Sequence, residues 1–317
     1  MSLSGLPFDD IRQLLADLPE CDAPAVKRAQ RRNKDLAARF GSLGDQAGHI
    51  EWFAGWSGKD PVVLRPMIAL FAGTHGVANG AGGQLGEPTL ETVTRLAAGG
   101  SPVNQICAAN DIGLKVFDLA LPYPVADIRL ADALSEKDCA ATIGFGMEAI
   151  AGGVDLLGIG AFGQGSCIAN AAILMLLRGN DSDWPKTLNA DVGEMARQAA
   201  QKHRAATGNC LEILRRLGGR EHAAVAGAII AARMSRIPVI LDGMSAATVV
   251  AILENEKAGA CAHCMIACRS SDFINSAGLS AVLPQAGELV DASAAGLAIS
   301  QLKSSAAVHA NTRISVD

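Results

Sequence analysis

Aromatic side chains are scarce in this sequence, and it contains no long basic run. Aromatic residues make up 4% of the 317 residues, with a single Tyr, and charged residues make up 19%. The net charge is −5. Proteins that bind nucleic acid or anionic membranes usually present basic patches, and those that bind single strands also present aromatic rings. The composition therefore argues against both partners, but it permits a small phosphorylated ligand held by backbone N–H groups.

Segments typical of membrane insertion or export are also missing. The longest apolar stretches, such as residues 171–177 and 223–232, fall well short of the roughly 20 residues that span a bilayer. The first residues, MSLSGLPFDDIRQLLADLPE, are acidic and amphipathic and lack the continuous apolar core of a signal peptide. We therefore expect a cytoplasmic protein whose eight cysteines are reduced thiols.

Three of these cysteines form one tight group, Cys261, Cys264 and Cys268, with His263 inside it. A metal or iron–sulfur site is one interpretation of the group. Structural zinc sites, however, usually take four ligands from two separated pairs, and this group stands alone on an apolar, Ala-rich segment. Buried cysteines that act as small apolar side chains are the favoured interpretation, and we predict no metal site.

Short apolar runs alternate with helical patterns along most of the chain. The predicted strands comprise residues 67–71, 114–119, 156–159, 238–241 and 264–267. Such alternation predicts an α/β fold: a doubly wound, mostly parallel sheet with helices on both faces and a smaller helical lobe. We assign residues 58–285 to the large domain. Residues 1–57, an N-terminal helical segment, and residues 286–317, a C-terminal helical segment, are expected to form the small lobe.

Ligands of such sheets bind beyond the carboxyl ends of the strands. Three segments follow predicted strands here: His75-Gly76, residues 158–165 and Asp242-Gly243. We expect them to face one crevice.

The glycine-rich segment of residues 158–166 reads GIGAFGQGS and begins with the pattern G-x-G-x-x-G. Glycines let backbone N–H groups approach an anion, and the helix that follows would direct its N-terminus at it. A phosphate site is the favoured interpretation and a tight turn without ligand the second. A dinucleotide site, with Asp181 or Asp183 as the ribose-binding acid, ranks third because residues 180–184 resemble a polar loop.

Five separated segments resemble one family. They read AGTHGV (residues 72–77), AAGGSPVNQICAANDIGLKVFDLAL (97–121), CAATIGFGMEAIAGGVDLLGIG (139–160), LGGRE (217–221) and PVILDG (238–243). Their order and spacing are similar to those of the nicotinate-nucleotide:dimethylbenzimidazole phosphoribosyltransferases over roughly residues 5–300. The resemblance implies phosphoribosyl transfer from nicotinate mononucleotide to 5,6-dimethylbenzimidazole or a related azole in cobalamin synthesis. It also implies a doubly wound fold with a small helical domain, a homodimer, no metal and no organic cofactor.

This sequence departs from the family pattern at the expected active site. Ala161 occupies the position of a glutamate, and residues 179–194 lack a clear Pro-Gly-Thr-Gly stretch. The family's Leu-Gly-Glu-Gly-Thr-Gly-Ala motif, whose glutamate is the general base, appears as residues 289–295, LVDASAA. Asp291 is therefore the candidate catalytic base, one methylene short. A polar residue at the start of a helix is an equally good interpretation of Asp291.

The strand-end rule and the resemblance together give a set of candidate substrate-binding residues: His75, Gly76, Gln84, Gly160, Gly163, Gln164, Gly165, Ser166, Asp242, Gly243, Ser270 and Asp272. For His75 and Asp242, a structural role at the strand end is the alternative. For the whole protein, the alternative is a non-catalytic or repurposed relative that binds a nucleotide or an azole without transferring it.

Overall fold

Six short segments of the sequence form the strands of one sheet. In a computed structural model, which describes residues 5–80, 85, 87–179, 189–269, 279–284 and 289–314, the strands are β1 Pro66–Thr74, β2 Gly113–Asp118, β3 Leu156–Gln164, β4 Val239–Asp242, β5 Cys264–Cys268 and β6 Ala281–Leu283. Their order is β2-β1-β3-β4-β5-β6, and every neighbouring pair is parallel. The predicted α/β fold with a parallel, doubly wound sheet is confirmed.

Twelve α-helices accompany the strands within the described ranges. They are α1 Pro7–Ala16, α2 Ala23–Phe40, α3 Asp45–Ser57, α4 Thr89–Ala97, α5 Pro102–Asn110, α6 Glu136–Gly146, α7 Ser166–Arg178, α8 Ala190–Lys202, α9 Cys210–Leu217, α10 Arg220–Met234, α11 Met244–Glu256 and α12 Ser293–Asn311. The side chain of Asn209 accepts from the N–H of Glu212 and caps the start of α9. No described helix has the length and apolar character needed to cross a membrane.

The strands bury both of their faces, as their continuous apolar runs require. In β1, Met67, Ala69 and Phe71 contribute to a core with α1 and α6–α11. The alternate residues Ile68 and Leu70 contribute to a second core with α2–α5 and α12. Helices therefore cover both faces of the sheet.

The N- and C-terminal helices meet on one face. Helices α2 and α3 pack against each other, and α12 contacts both of them. Helix α1 packs instead on α6, on the other face. The division into residues 1–57, 58–285 and 286–317 stays a prediction.

The winding direction changes between β1 and β3, and this change positions the site. The chain crosses from β1 to β2 on one side and then returns to place β3–β6 on the other side. Connections that leave two adjacent strands in opposite directions open a crevice at their carboxyl ends. The residues that follow β1, β3 and β4 lie at that edge.

Two glycines of β3 allow α12 to lie directly on the sheet. A Cβ added at Gly158 would lie 3.0 Å from Ile299 Cδ1, and one at Gly160 would lie 2.7 Å from the Cβ of Ala292. Segment 158–164 is thus strand rather than the glycine loop expected between strand and helix, and only Gly165 separates β3 from α7. Close packing explains these two glycines without a ligand.

Candidate active site

A cavity of about 770 Å³ opens at the carboxyl edge of the sheet. Its walls come from the ends of β3, β4 and β5, from α4, and from the segment that leads into α12. Among the predicted site residues it brings together Gly160, Gly163, Gln164, Asp242, Gly243 and Asp291. Ala161, at the position that the resemblance assigns to a glutamate, also lines it. The predicted crevice therefore forms, but only part of the predicted set lines it.

Asp291 lies in the segment that leads into α12. Its φ is 58° and that of Ala292 is 60°, both in the left-handed region that favours glycine. The Asp291 side chain is only 6% exposed and lies 3.4 Å, Oδ2 to Nη2, from Arg95. Ser293 Oγ donates to the carbonyl of Val290 at 2.6 Å and fixes the turn. A carboxylate is therefore held at the cavity wall, where it can accept a proton from a bound molecule.

Arg95 is a cavity residue that the sequence patterns did not identify. Its Nε donates to Ser101 Oγ at 3.1 Å, and its Nη1 forms an ion pair with Glu87. Nη2 faces Asp291. The guanidinium thus links α4, the start of α5 and the segment before α12.

Asp242 connects β4 to α12. Its Oδ2 accepts from the N–H of Ala295 at 2.9 Å, so the carboxylate caps α12, whose own N-cap residue, Ala292, supplies no side-chain cap. Burial raises the pKa of Asp242, and hydrogen bonds from the backbone of Ala295, Ala294 and Gly243 oppose the shift. The geometry favours the structural role for Asp242 over the ligand-binding one, although the residue lines the cavity.

Four predicted binding residues lie behind the cavity wall. His75 is 2% exposed and Ser166 is 6% exposed. Gly76 donates its N–H to Val125, and Gly165, at φ 98°, makes the sharp turn into α7. None of the four lines the cavity, so their hydrogen bonds and backbone turn account for them in the described structure.

Beneath the cavity, a fully buried carboxylate joins two histidines. Glu221 Oε1 lies 2.6 Å from His75 Nε2 and 2.9 Å from His222 Nδ1, and Ser166 Oγ donates to it at 3.2 Å. Burial alone would raise the pKa of Glu221, but the two imidazoles and their hydrogen bonds bring it well below its ordinary value. The arrangement therefore places a carboxylate inside the protein in direct contact with two imidazoles.

The buried hydrogen-bond network extends to α7, and two residues packed against Glu221 must be glycine because a Cβ would overlap its carboxylate. Asn170 Oδ1 accepts from His222 Nε2 at 2.7 Å, which extends the network to α7. A Cβ at Gly73 would lie 2.0 Å from Glu221 Oε2, and one at Gly219 would lie 2.2 Å from it. The motifs AGTHGV and LGGRE therefore supply both the charged groups and the space that they occupy. The two motifs are visible in the sequence, but the contact between His75 and Glu221 is not.

His75, Glu221 and His222 are also the group with the geometry nearest to a metal site in the described part of the chain. Their ligand atoms lie within 4.8 Å of one another. The 2.6 Å approach of His75 Nε2 to Glu221 Oε1 is a direct hydrogen bond, which leaves no space for an ion between those two atoms.

The cysteine group is buried and reduced. Cys261, Cys264 and Cys268 are buried and form no disulfide, and Cys264 Sγ lies 3.7 Å from His263 Nε2. The remaining predicted residues Gln84, Asp181, Asp183, Ser270 and Asp272 lie outside the described residues.

Known proteins resemble the chain along nearly its whole length. A phosphoribosyltransferase family model matches residues 18–315. Curated nicotinate-nucleotide–dimethylbenzimidazole phosphoribosyltransferases from Allorhizobium ampelinum and Agrobacterium fabrum are each 46% identical over 323 residues, which cover 98% of this chain and 95% and 94% of those proteins.

The fold matches as well. A crystal structure of the same-named enzyme from Thermus thermophilus gives a TM-score of 0.78 at 23% identity, covering 91% of this chain and 96% of that one. The sequence matches and this fold agree with the five segments from which the resemblance was inferred. The chain belongs to the nicotinate-nucleotide–dimethylbenzimidazole phosphoribosyltransferase family.

Proposed function

We propose that the protein transfers phosphoribose from nicotinate mononucleotide to 5,6-dimethylbenzimidazole or a related azole, at a reduced rate. The observation that supports this is the position of Asp291: a nearly buried carboxylate on the wall of the cavity at the carboxyl edge of the sheet. Relatives 46% identical are named for this transfer.

In the proposed reaction, a ring nitrogen of the azole attacks C1′ of the ribose. The bond between C1′ and the nicotinate nitrogen breaks, and its electron pair leaves with nicotinate. Asp291 accepts the proton that the azole loses and offers negative charge near the cationic sugar. Phosphate is expected at the end of β3, where Gly160 and Gly163 line the cavity.

Two substitutions in the cavity support the reduced rate. Ala161 has neither charge nor proton-accepting atom where the family has glutamate. Asp291 is one methylene shorter than glutamate, and a displacement of about 1 Å can cost about a hundredfold in rate. The same two features favour the alternative function, binding of a nucleotide or azole without transfer.

Turnover distinguishes the two functions. Purified protein is incubated with nicotinate mononucleotide and 5,6-dimethylbenzimidazole, and released nicotinate is quantified against an Asp291→Asn control. Slow release that the control abolishes supports the transferase. Thermal stabilisation by either ligand with no release supports the binding function.

The family resemblance also motivates a homodimer and a small helical lobe, which residues 1–57 and 286–317 would form. The shortness of the apolar runs in the sequence motivates a cytoplasmic location. Light scattering at micromolar concentration tests the dimer, and a monomer mass would contradict it.

A further inference from the structure

We propose that Cys261 and Cys264 are a redox-active pair of thiols that a hydroperoxide converts to a disulfide. Cys264 is the nucleophile, and Cys261 is the thiol that resolves its first product. The pair lies at the amino end of β5, whereas the candidate active site lies at the carboxyl edge of the sheet. Its chemistry therefore does not depend on the proposed phosphoribosyl transfer.

A tight turn brings the two cysteines together where β5 begins. The N–H of Cys264 donates to the carbonyl of Cys261 at 2.8 Å. Such a turn places its first and fourth Cα atoms within about 7 Å, and a disulfide usually spans about 4.4–6.8 Å between Cα atoms. The two thiols are also hydrogen-bonded to each other. The S–S bond can therefore form with little movement of the backbone.

Cys268, the third cysteine of the group, is too far along the strand to compete. It follows Cys264 by four residues in β5, so its Cα lies about 13 Å away at about 3.3 Å per residue. That separation is roughly twice what a disulfide spans. Cys268 instead lines the cavity at the carboxyl edge of the sheet.

A buried cation lies beside the pair. Arg233 of α10 is 3% exposed, its Nε donates to the carbonyl of Pro19 at 2.7 Å, and its guanidinium carbon lies 3.9 Å from the centroid of the Trp56 ring. Its Nη1 is buried and has no hydrogen-bond partner among the described residues. The charges of the exposed Glu20 and of the two buried thiols act on this guanidinium. A thiolate of the pair would therefore give the buried cation a counter-charge at the same depth.

The neighbours of the two thiols make them unequal. Burial alone would raise the pKa of Cys264, but the hydrogen bond from Cys261 and the neighbouring imidazole and guanidinium bring it below its ordinary value. The hydrogen bond to Cys264, together with burial, raises the pKa of Cys261. Cys264 is therefore the thiolate, which is the form that attacks peroxides, and Cys261 keeps its proton.

A second cavity gives a small oxidant access to Cys264. It has a volume of about 950 Å³ and lies between α3 and the strands β5 and β6, with Trp52, Met265 and Val282 among its lining residues. Cys264 is part of its wall, and 3% of the residue is exposed. Hydrogen peroxide is hardly larger than water and can reach such a residue, whereas a bulky disulfide cannot. The oxidant is therefore a hydroperoxide.

One molecule of hydrogen peroxide balances the reaction. The Cys264 thiolate attacks one peroxide oxygen, the O–O bond breaks, and hydroxide leaves, which gives a sulfenic acid. This hydroxide takes the proton of Cys261 and becomes water. The Cys261 sulfur then attacks the Cys264 sulfur, so that the S–S bond forms, the S–O bond breaks and a second hydroxide leaves. The two sulfurs lose two electrons in total, and these electrons reduce the peroxide.

Treatment of the native protein with graded hydrogen peroxide tests the pair. Catalase stops the reaction, the remaining thiols are alkylated in denaturant, and trypsin releases the whole cysteine group on one peptide, residues 258–269. In mass spectrometry that peptide should lose two hydrogen atoms and carry one alkyl group, on Cys268. Dithiothreitol before alkylation should restore all three alkyl groups. Cys139, a fully buried thiol whose pKa burial raises to about 12, is the internal control and should react at least about tenfold more slowly.

Single variants assign the two roles. In Cys261→Ala, oxidation should stop at the sulfenic acid of Cys264, which dimedone labels, whereas in Cys264→Ala the thiol of Cys261 should stay reduced. Cys139→Ala makes the same change at a buried cysteine elsewhere in the core and should leave the rate of disulfide formation within about twofold. Arg233→Met should slow disulfide formation about tenfold, and Arg233→Lys, which keeps the charge, should restore most of the rate. Thermal unfolding confirms that the variants compared are folded.

Three results would each overturn the proposal. Both thiols could stay alkylated at a peroxide dose that oxidises the exposed Cys21, Cys264 could pair with Cys21 instead, or dimedone could label Cys261 in Cys264→Ala. Disulfide formation between Cys261 and Cys264 in a protein that releases no nicotinate would support the redox pair and contradict the proposed function alone.

Discussion

Replacing Glu221 with Gln should destabilise the protein strongly, although the two side chains have nearly the same shape. Glu221 is fully buried, and its Oε1 receives His75 at 2.6 Å and Ser166 at 3.2 Å. The amide removes the negative charge of the carboxylate, and its NH₂ group replaces a buried oxygen that has no hydrogen-bond partner, so the new donor is left unsatisfied. Breaking one partner of a buried pair typically costs about 3–5 kcal/mol. We expect a loss of that size and a fall in Tm of roughly 5–15 °C.

The sign of the pH dependence follows from the lowered pKa of Glu221. A carboxyl whose folded pKa is below its unfolded value stabilises the folded state above the unfolded value, here 4.5. The stabilisation is lost as pH falls from there through the lower folded pKa. The difference between wild type and Glu221→Gln should therefore be full at pH 7 and shrink below pH 4.5.

Urea unfolding is measured at pH 7 and at a series of pH values from 5 down to the lowest at which the native state persists. It gives the loss of stability in Glu221→Gln and the dependence of that loss on pH. Asp291→Asn is the matched control, because it makes the same chemical change at a carboxylate whose partner Arg95 is 35% exposed. We expect it to change stability by less than about 1 kcal/mol. A loss below 1 kcal/mol in Glu221→Gln, equal at all pH values, would refute the buried ion pair.

Further substitutions test the glycine packing and the catalytic carboxylate. Gly73→Ala places a Cβ 2.0 Å from Glu221 Oε2 and should lower the free energy of unfolding by about 3 kcal/mol or more. Gly144 is a helical site where an added Cβ meets nothing within 4 Å, so Gly144→Ala should raise the free energy of unfolding by about 0.5–1 kcal/mol in the same urea assay. Asp291→Asn should abolish nicotinate release, and indifference of the rate would remove Asp291 from the mechanism. Ala161→Glu with Asp291→Glu should raise that rate about ten- to a thousandfold in steady-state kinetics, and no gain would contradict the account of reduced activity.

The strands and their parallel order could be predicted because they depend on local information. Apolar runs such as residues 67–71 are long enough to identify buried strands, and alternation with helical patterns restricts the topology. The sequence did not reveal that β3 continues to Gln164. Glycine promotes turns, phosphate contacts and close packing alike, and only the position of α12 shows that Gly158 and Gly160 serve packing.

The ion pairs of the site could not be predicted, because they join distant parts of the chain. Arg95 and Asp291 are 196 residues apart, and His75 and Glu221 are 146 apart. Strand-end position predicted Gly163 and Asp242, the family resemblance predicted Asp291, and all three line one cavity. Neither argument says which way a side chain points. The side chain of His75 points into the protein, towards Glu221, whereas the side chain of Asp291 lies at the cavity wall.

The segment that carries Asp291 adopts a left-handed backbone at two residues that are not glycine. Asp291 and Ala292 both adopt left-handed φ values, a conformation that costs a non-glycine residue about 1–2 kcal/mol. That cost must be offset, and the contacts at hand are the Asp242 cap on Ala295 and the Ser293 bond to Val290. Because these contacts fix the backbone from which the carboxylate projects, we expect the short side chain of Asp291, more than the position of its backbone, to limit the rate of the proposed reaction.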